Sequence, residues 1–126
     1  MNLLDKVVIL EEEASQFGFR WETSSQIMTQ IHSECMEIEE HLHEGVDQTD
    51  TVELQEEIGD LLHAVFSLCV FCKLSPRDTL SKSLAKFERR LNAVKSIAEE
   101  KGQPCLDGCS FDELMTIWDI AKQRVG

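Results

Sequence analysis

Residues 25–45, SQIMTQIHSECMEIEEHLHEG, decide the fold. Projected at about 100° per residue, Ile27, Ile31, Cys35, Ile38 and Leu42 fall on one apolar stripe, which predicts an amphipathic helix. Glu34 falls inside that stripe and Glu37 on its shoulder, near His41. A carboxylate in an apolar stripe is costly unless a cation or a donor meets it. Glu39 and Glu40 read as an ordinary solvated face, a reading that fails for Glu34.

The next helical segment, DTVELQEEIGDLLHAVFSLCVFCKL from Asp50, repeats the arrangement. Leu54, Ile58, Leu61, Leu62, Val65 and Cys69 form its expected main stripe. Glu57 borders the stripe and Asp60 lies further round the same flank, which Ala64 and Phe71 continue in apolar form. Side chains three apart on a helix are neighbours, so Glu34/Glu37 and Glu57/Asp60 are two acidic pairs. A divalent metal held between two antiparallel helices explains both. Four carboxylates suit hard cations such as Mg²⁺ or Mn²⁺, whereas zinc more often recruits His or Cys. A ferritin-like di-iron site wants Glu-x-x-His on each of two helices. Glu40-x-x-His43 fits that motif, but Asp60-x-x-His63 carries aspartate. Gly59, mid-helix, costs about 1 kcal/mol relative to alanine, which suggests close approach of a helix or ligand, or tight packing.

Working outward, the pattern stays helical from end to end. Residues 2–17 predict a first helix ending near Gly18. Thr23-Ser-Ser-Gln26 is a capping box for the second helix, which should run to about Gly45. Asp50-Thr-Val-Glu53 opens the third, to about Lys73. Ser75-Pro76 supplies an N-cap with proline at the first helical position of the fourth, which should end near Lys101 before Gly102 and Pro104. Ser110-Phe-Asp-Glu113 caps a last helix to about Arg124. With no period-two stretch, repeat or linker, residues 1–126 are expected to form one all-α domain, a four- to five-helix bundle.

Twenty-four acids against twelve Lys and Arg give a formal charge of −12, which argues against polymeric nucleic acid and anionic membranes as partners. It leaves a nucleotide open, because bound cations would supply positive charge where phosphates sit. No apolar run approaches the roughly 20 residues of a membrane span, and charges interrupt the N-terminal apolar run, so the expected compartment is the cytoplasm. The five cysteines (35, 69, 72, 105, 109) are then expected to be free thiols. Cys69 and Cys72 sit in an apolar run and read as core residues rather than zinc ligands.

On the fourth helix, Lys82, Lys86, Arg89 and Arg90 form a basic set, with Lys86 and Arg90 one turn apart beside the stripe Leu80, Leu84, Phe87, Leu91, Val94. They could hold a phosphate chain or pair with surface acids.

Glu34-x-x-Glu37, then Leu54-Gln-Glu-Glu-Ile-Gly-Asp-Leu-Leu62, then Lys86-Phe-Glu-Arg-Arg90, in this order and spacing, resemble the MazG family of all-α nucleotide pyrophosphohydrolases. The likeness runs from about Leu4 to Arg124 and is strongest to the C-terminal catalytic half of two-domain members. It implies Mg²⁺-dependent hydrolysis of nucleoside triphosphates, often deoxynucleotides or damaged ones, to monophosphate and pyrophosphate, in a homodimer or homotetramer. It also implies Glu34, Glu37, Glu57 and Asp60 as metal ligands, with Lys82, Lys86, Arg89 and Arg90 on the phosphates. Aromatics before the second helix would help hold the base, and Phe19 and Trp21 occupy that segment, although Trp21 also suits a hydrophobic staple. Water would attack the α-phosphorus, with Glu37 as the carboxylate expected to orient or deprotonate it. Leu84 is a departure, since relatives commonly carry Asn or Asp there. The alternatives are a related enzyme acting on dUTP-type substrates or phosphoribosyl-ATP, and a non-catalytic nucleotide-binding or regulatory module.

Overall fold

The computed structural model describes residues 2–43 and 51–126. These form five α-helices and no strand: α1 (Leu3–Phe17), α2 (Ser24–His43), α3 (Thr51–Phe71), α4 (Pro76–Glu100) and α5 (Phe111–Val125). Gly45 and Asp50, expected at the end of the second helix and the start of the third, lie outside the described residues. No single helix among those described is long and apolar enough to cross a membrane.

The helix ends follow from local chemistry. Asn2 caps α1 by accepting from the Leu4 N–H at 2.8 Å. Gly18, at φ +98°, takes the left-handed conformation that lets the Phe19 N–H reach back to the Ala14 carbonyl at 2.9 Å. The capping box of α2 is formed in both directions, from the Gln26 N–H to Thr23 Oγ1 and from the Thr23 N–H to Gln26 Oε1, each at 3.3 Å. Ser75 accepts from the Asp78 N–H at 3.2 Å ahead of buried Pro76. Ser110 accepts from the Glu113 N–H at 3.2 Å, and its hydroxyl donates to Glu113 Oε1 at 3.1 Å. Lys73 ends α3 at φ +62°, doing in a residue with a Cβ what glycine does at Gly18.

The chain separates into two compact units, Met1–Thr79 and Leu80–Gly126. In the first, α3 packs against α2 and α1. Ile27 of α2 is fully buried, with Ala64 and Cys69 of α3. In the second, Ala93 and Ile97 of α4 meet Ile117 and Ala121 of α5, with Val94, Leu106 and Ile120 around them. Arg124 of α5 forms a two-pronged ion pair with Glu100 of α4, at 2.9 and 2.8 Å.

Three expectations need correcting. Of the expected α3 stripe, Cys69 is buried and Leu54 and Leu61 are half-buried, but Ile58, Leu62 and Val65 are exposed, and the inward face extends instead onto the flank carrying buried Ala64 and Ser67 with half-buried Glu57. Small and polar residues occupy this flank because it is the one turned to α1 and α2. Cys72 is exposed just beyond the end of α3, so of the Cys69/Cys72 pair only Cys69 is a core residue. A Cβ at Gly59 would meet no atom within 4 Å, so neither a close helix crossing nor tight packing within the described chain accounts for it. All five cysteines are free.

Candidate functional site

The stripe of α2 delivers Glu34 to the interior as its position implies, with 7% of its surface exposed. One of its oxygens accepts from Gln30 Nε2 at 2.7 Å, an i−4 neighbour on the same helix. The other, Oε2, is buried with no hydrogen-bond partner. Glu37 follows one turn later and Glu57 enters from α3. Ligand oxygens of Glu34, Glu37 and Glu57 all lie within 4.8 Å of one another. Glu57 Oε2 is likewise buried without a partner.

Three carboxylates this close repel, and the protein answers through Glu57, whose pKa is pushed up from 4.5 to about 7. The largest cause is the hydrogen bond it shares with Glu37, which needs the proton. Burial follows, then the negative charge of Glu37 and the smaller contributions of Glu34. An all-oxygen cluster with two sealed, unpartnered carboxylate oxygens fits a hard divalent cation, which would satisfy both and replace the shared proton. The cysteines offer no such cluster among the described residues.

Asp60 is not part of this cluster. It is exposed, one turn beyond Glu57, and lines a cavity of about 590 Å³ that also takes in Glu34, Phe19, Trp21 and Gln30. Glu34 thus belongs both to the carboxylate cluster and to the cavity wall. Trp21 is half-buried, whereas Phe19 is 81% exposed and contributes to the wall from its rim.

The cavity also has polar residues that no sequence signal marked for nucleotide binding: Glu11, Arg20, His63 and Ser67. His63 Nε2 lies 2.8 Å from Glu11 Oε1, so its place in an Asp-x-x-His iron motif is taken by a partner on α1. Arg20 donates to the Ser15 carbonyl at 2.9 Å. Glu11 shares a face of α1 with Val7 and Ala14, a placement legible in the sequence; its partners on α3 were not.

The basic set lies on α4 in the second unit. Lys82, Lys86 and Arg89 are exposed. Arg90 is half-buried and engaged, donating through Nε to the Gly126 carbonyl at 3.0 Å while its guanidinium sits 5.6 Å from the Trp118 ring centroid. The Trp118 ring also meets Phe87, with centroids 6.0 Å apart. Leu84 is 58% exposed.

Helices alone, with a carboxylate cluster at the wall of a cavity, define an all-α protein built around an acidic site. The match to known families makes this specific: residues 22–95 fit the model of the MazG nucleotide pyrophosphohydrolase domain, and the chain belongs to that family. The matched residues include Glu34, Glu37, Glu57, Asp60 and the α4 cations. Phe19, Trp21 and Glu11 precede or only just precede the match. A Thermotoga maritima protein named nucleoside triphosphate pyrophosphohydrolase/pyrophosphatase MazG is 31% identical over 113 residues, covering 90% of this chain and 41% of that protein. An Escherichia coli nucleoside triphosphate pyrophosphohydrolase is 26% identical over 115 residues, covering 91% of this chain and 43% of that protein. The chain therefore spans about two-fifths of the length of these curated relatives.

Proposed function

We propose that this chain hydrolyses nucleoside triphosphates, deoxynucleotides among them, to the monophosphate and pyrophosphate in a Mg²⁺-dependent reaction, as a nucleotide-pool house-cleaning enzyme. The observation that carries the reading is Glu34, buried in the carboxylate cluster and at the same time part of the cavity wall. Membership of the family and the activity for which the two relatives are named support it.

Glu34, Glu37 and Glu57 would hold the cation, with Asp60 one turn along α3 as the fourth ligand. Mg²⁺, or Mn²⁺ in its place, supplies charge neutralisation for the triphosphate and acidity for water. Glu37, exposed and at the edge of the cluster, orients the attacking water or takes its proton. Trp21 and Phe19 contact the base. Lys82, Lys86, Arg89 and Arg90 are carried over as phosphate contacts, Arg90 being the one already committed to Trp118 and the Gly126 carbonyl.

We further read residues 1–126 as one domain, because the family match crosses the boundary between the two compact units. Self-association into a homodimer or homotetramer is supported by Ile58, Leu62 and Val65, apolar at helical spacing and exposed in the single chain. A cytoplasmic setting agrees with five free cysteines. A nucleotide-binding module without turnover is the second reading, favoured by Leu84, apolar where the family resemblance implies Asn or Asp.

Replacement tests the main reading. Folded Glu34→Gln and Asp60→Asn variants should lose pyrophosphate release, and full activity in both would remove its basis.

A further inference from the structure

Glu11 stands out because its polar contacts are not needed by the reaction proposed above. From α1 it reaches α3, where the Nε2–H of His63 donates to its Oε1 at 2.8 Å and the Ser67 hydroxyl donates to the same oxygen at 2.5 Å. A carboxylate oxygen accepts, so this bond assigns His63 the tautomer with its proton on Nε2. Both donors use Oε1, and Oε2 takes no hydrogen bond from any other described residue. The carboxylate is 19% exposed and forms part of the cavity wall. Two donors from a neighbouring helix therefore fix the orientation of an acceptor whose other oxygen is left for a ligand.

Its surroundings suit a nucleobase. Leu10, Ala14, Trp21 and Ala64 line the same cavity with apolar surface. Asp60 and Ser67 also line it, seven residues apart on α3 and so about 10 Å apart along the helix axis. That is comparable to the reach of a nucleotide from its α-phosphate to the edge of its base. A carboxylate accepts from an exocyclic amine and has nothing to donate to a carbonyl.

We infer that Glu11, positioned by His63 and Ser67, accepts a hydrogen bond from the exocyclic amino group of the nucleobase. The domain therefore favours nucleotides of amino-bearing bases over those of uracil and thymine, which present a carbonyl in its place. This rests on the reading of the cavity as a nucleotide site. Glu11 lies outside residues 22–95, the segment matched by the family model.

The cleanest comparison is dCTP against dUTP, which differ at one exocyclic position. Wild-type kcat/KM should favour dCTP by at least about tenfold, because a half-buried acceptor facing a carbonyl is left unpaired. In Glu11→Gln the carboxamide oxygen still accepts from His63 and Ser67, while its N–H₂ donates to the uracil carbonyl. The preference should then fall by about tenfold or more. Equal wild-type turnover of the two, or a Glu11→Gln variant that slows both alike, would overturn the inference and leave pyrophosphohydrolysis standing. If no nucleotide yields pyrophosphate, the proposed function fails, and calorimetric binding of dCMP and dUMP decides this point: preference for dCMP that Glu11→Gln abolishes upholds it, and equal or absent binding overturns it. Should Glu11→Gln not fold, Ser67→Ala removes one positioning donor. The dCTP preference should then drop severalfold, and an unchanged ratio would overturn the inference.

Discussion

The carboxylates of Glu34 on α2 and Glu57 on α3 meet across the helix pair, and each keeps one oxygen buried without a hydrogen-bond partner. Polar atoms buried in this way usually cost free energy. Under the proposed function this cost is the mark of a site, the sealed oxygens, with Glu37 beside them, being those that a cation would satisfy.

The raised pKa of Glu57 makes the stability of the cation-free protein depend on pH. Its carboxyl titrates near 4.5 when unfolded and about 7 when folded, so between these values the folded chain holds a proton that the unfolded chain has lost. The stabilisation it gives is fully present below about pH 4.5 and is lost as pH rises through 7. Melting temperatures in EDTA should fall across that window for this reason. Glu57→Gln should flatten the dependence, while Asp60→Asn, outside the cluster, should leave it unchanged.

A cation held by Glu57, as proposed, would displace its proton. Calorimetric titration with Mg²⁺ or Mn²⁺ in buffers of different ionisation heat should therefore show proton release near pH 6. The apparent affinity should rise by up to about tenfold per pH unit below 7 and level off above it. A cation that bound without proton release at pH 6 would place it away from Glu57.

Lys73 bears the left-handed conformation that ends α3, at φ +62°. A side chain costs about 1–2 kcal/mol there, partly offset by the greater flexibility of glycine when unfolded. Lys73→Gly should stabilise the protein by about 0.5–1 kcal/mol in urea denaturation.

Ile97 is 2% exposed in the α4–α5 core. Truncation there leaves a cavity among Ala93, Ile117 and Ala121, residues too small or too fixed to fill it. Ile97→Ala should cost about 2–5 kcal/mol, read as a lower denaturation midpoint.

The α4 cations should separate by their surroundings. Exposed Lys86, if it meets phosphate, should give a Lys86→Ala variant with raised KM and an unchanged melting temperature. Arg90→Ala loses the Trp118 contact and the Gly126 carbonyl and should lower the melting temperature as well.

Much of this architecture is legible from sequence because its signals are local. The box at Thr23–Gln26, Ser75 before Pro76, and Ser110 with Glu113 each fix a helix start within four residues. Glu34 is legible for the opposite reason, as a charge that breaks an apolar stripe and is found buried. Which flank of α3 turns inward was not legible, because two flanks carry apolar residues and only the neighbouring helices decide between them. Asp60 illustrates the same limit: helical spacing puts it beside Glu57, yet the packing leaves it on the cavity wall. The Glu11 contacts join residues 52 and 56 positions apart, a separation at which no periodicity operates.

The most direct measurement is the product formed from a panel of canonical and modified nucleoside and deoxynucleoside triphosphates, with Mg²⁺ and with EDTA. Pyrophosphate and nucleoside monophosphate, formed with Mg²⁺ and abolished by EDTA, is the predicted result. Release of orthophosphate, or no turnover of any nucleotide by folded protein in Mg²⁺ or Mn²⁺, would contradict it.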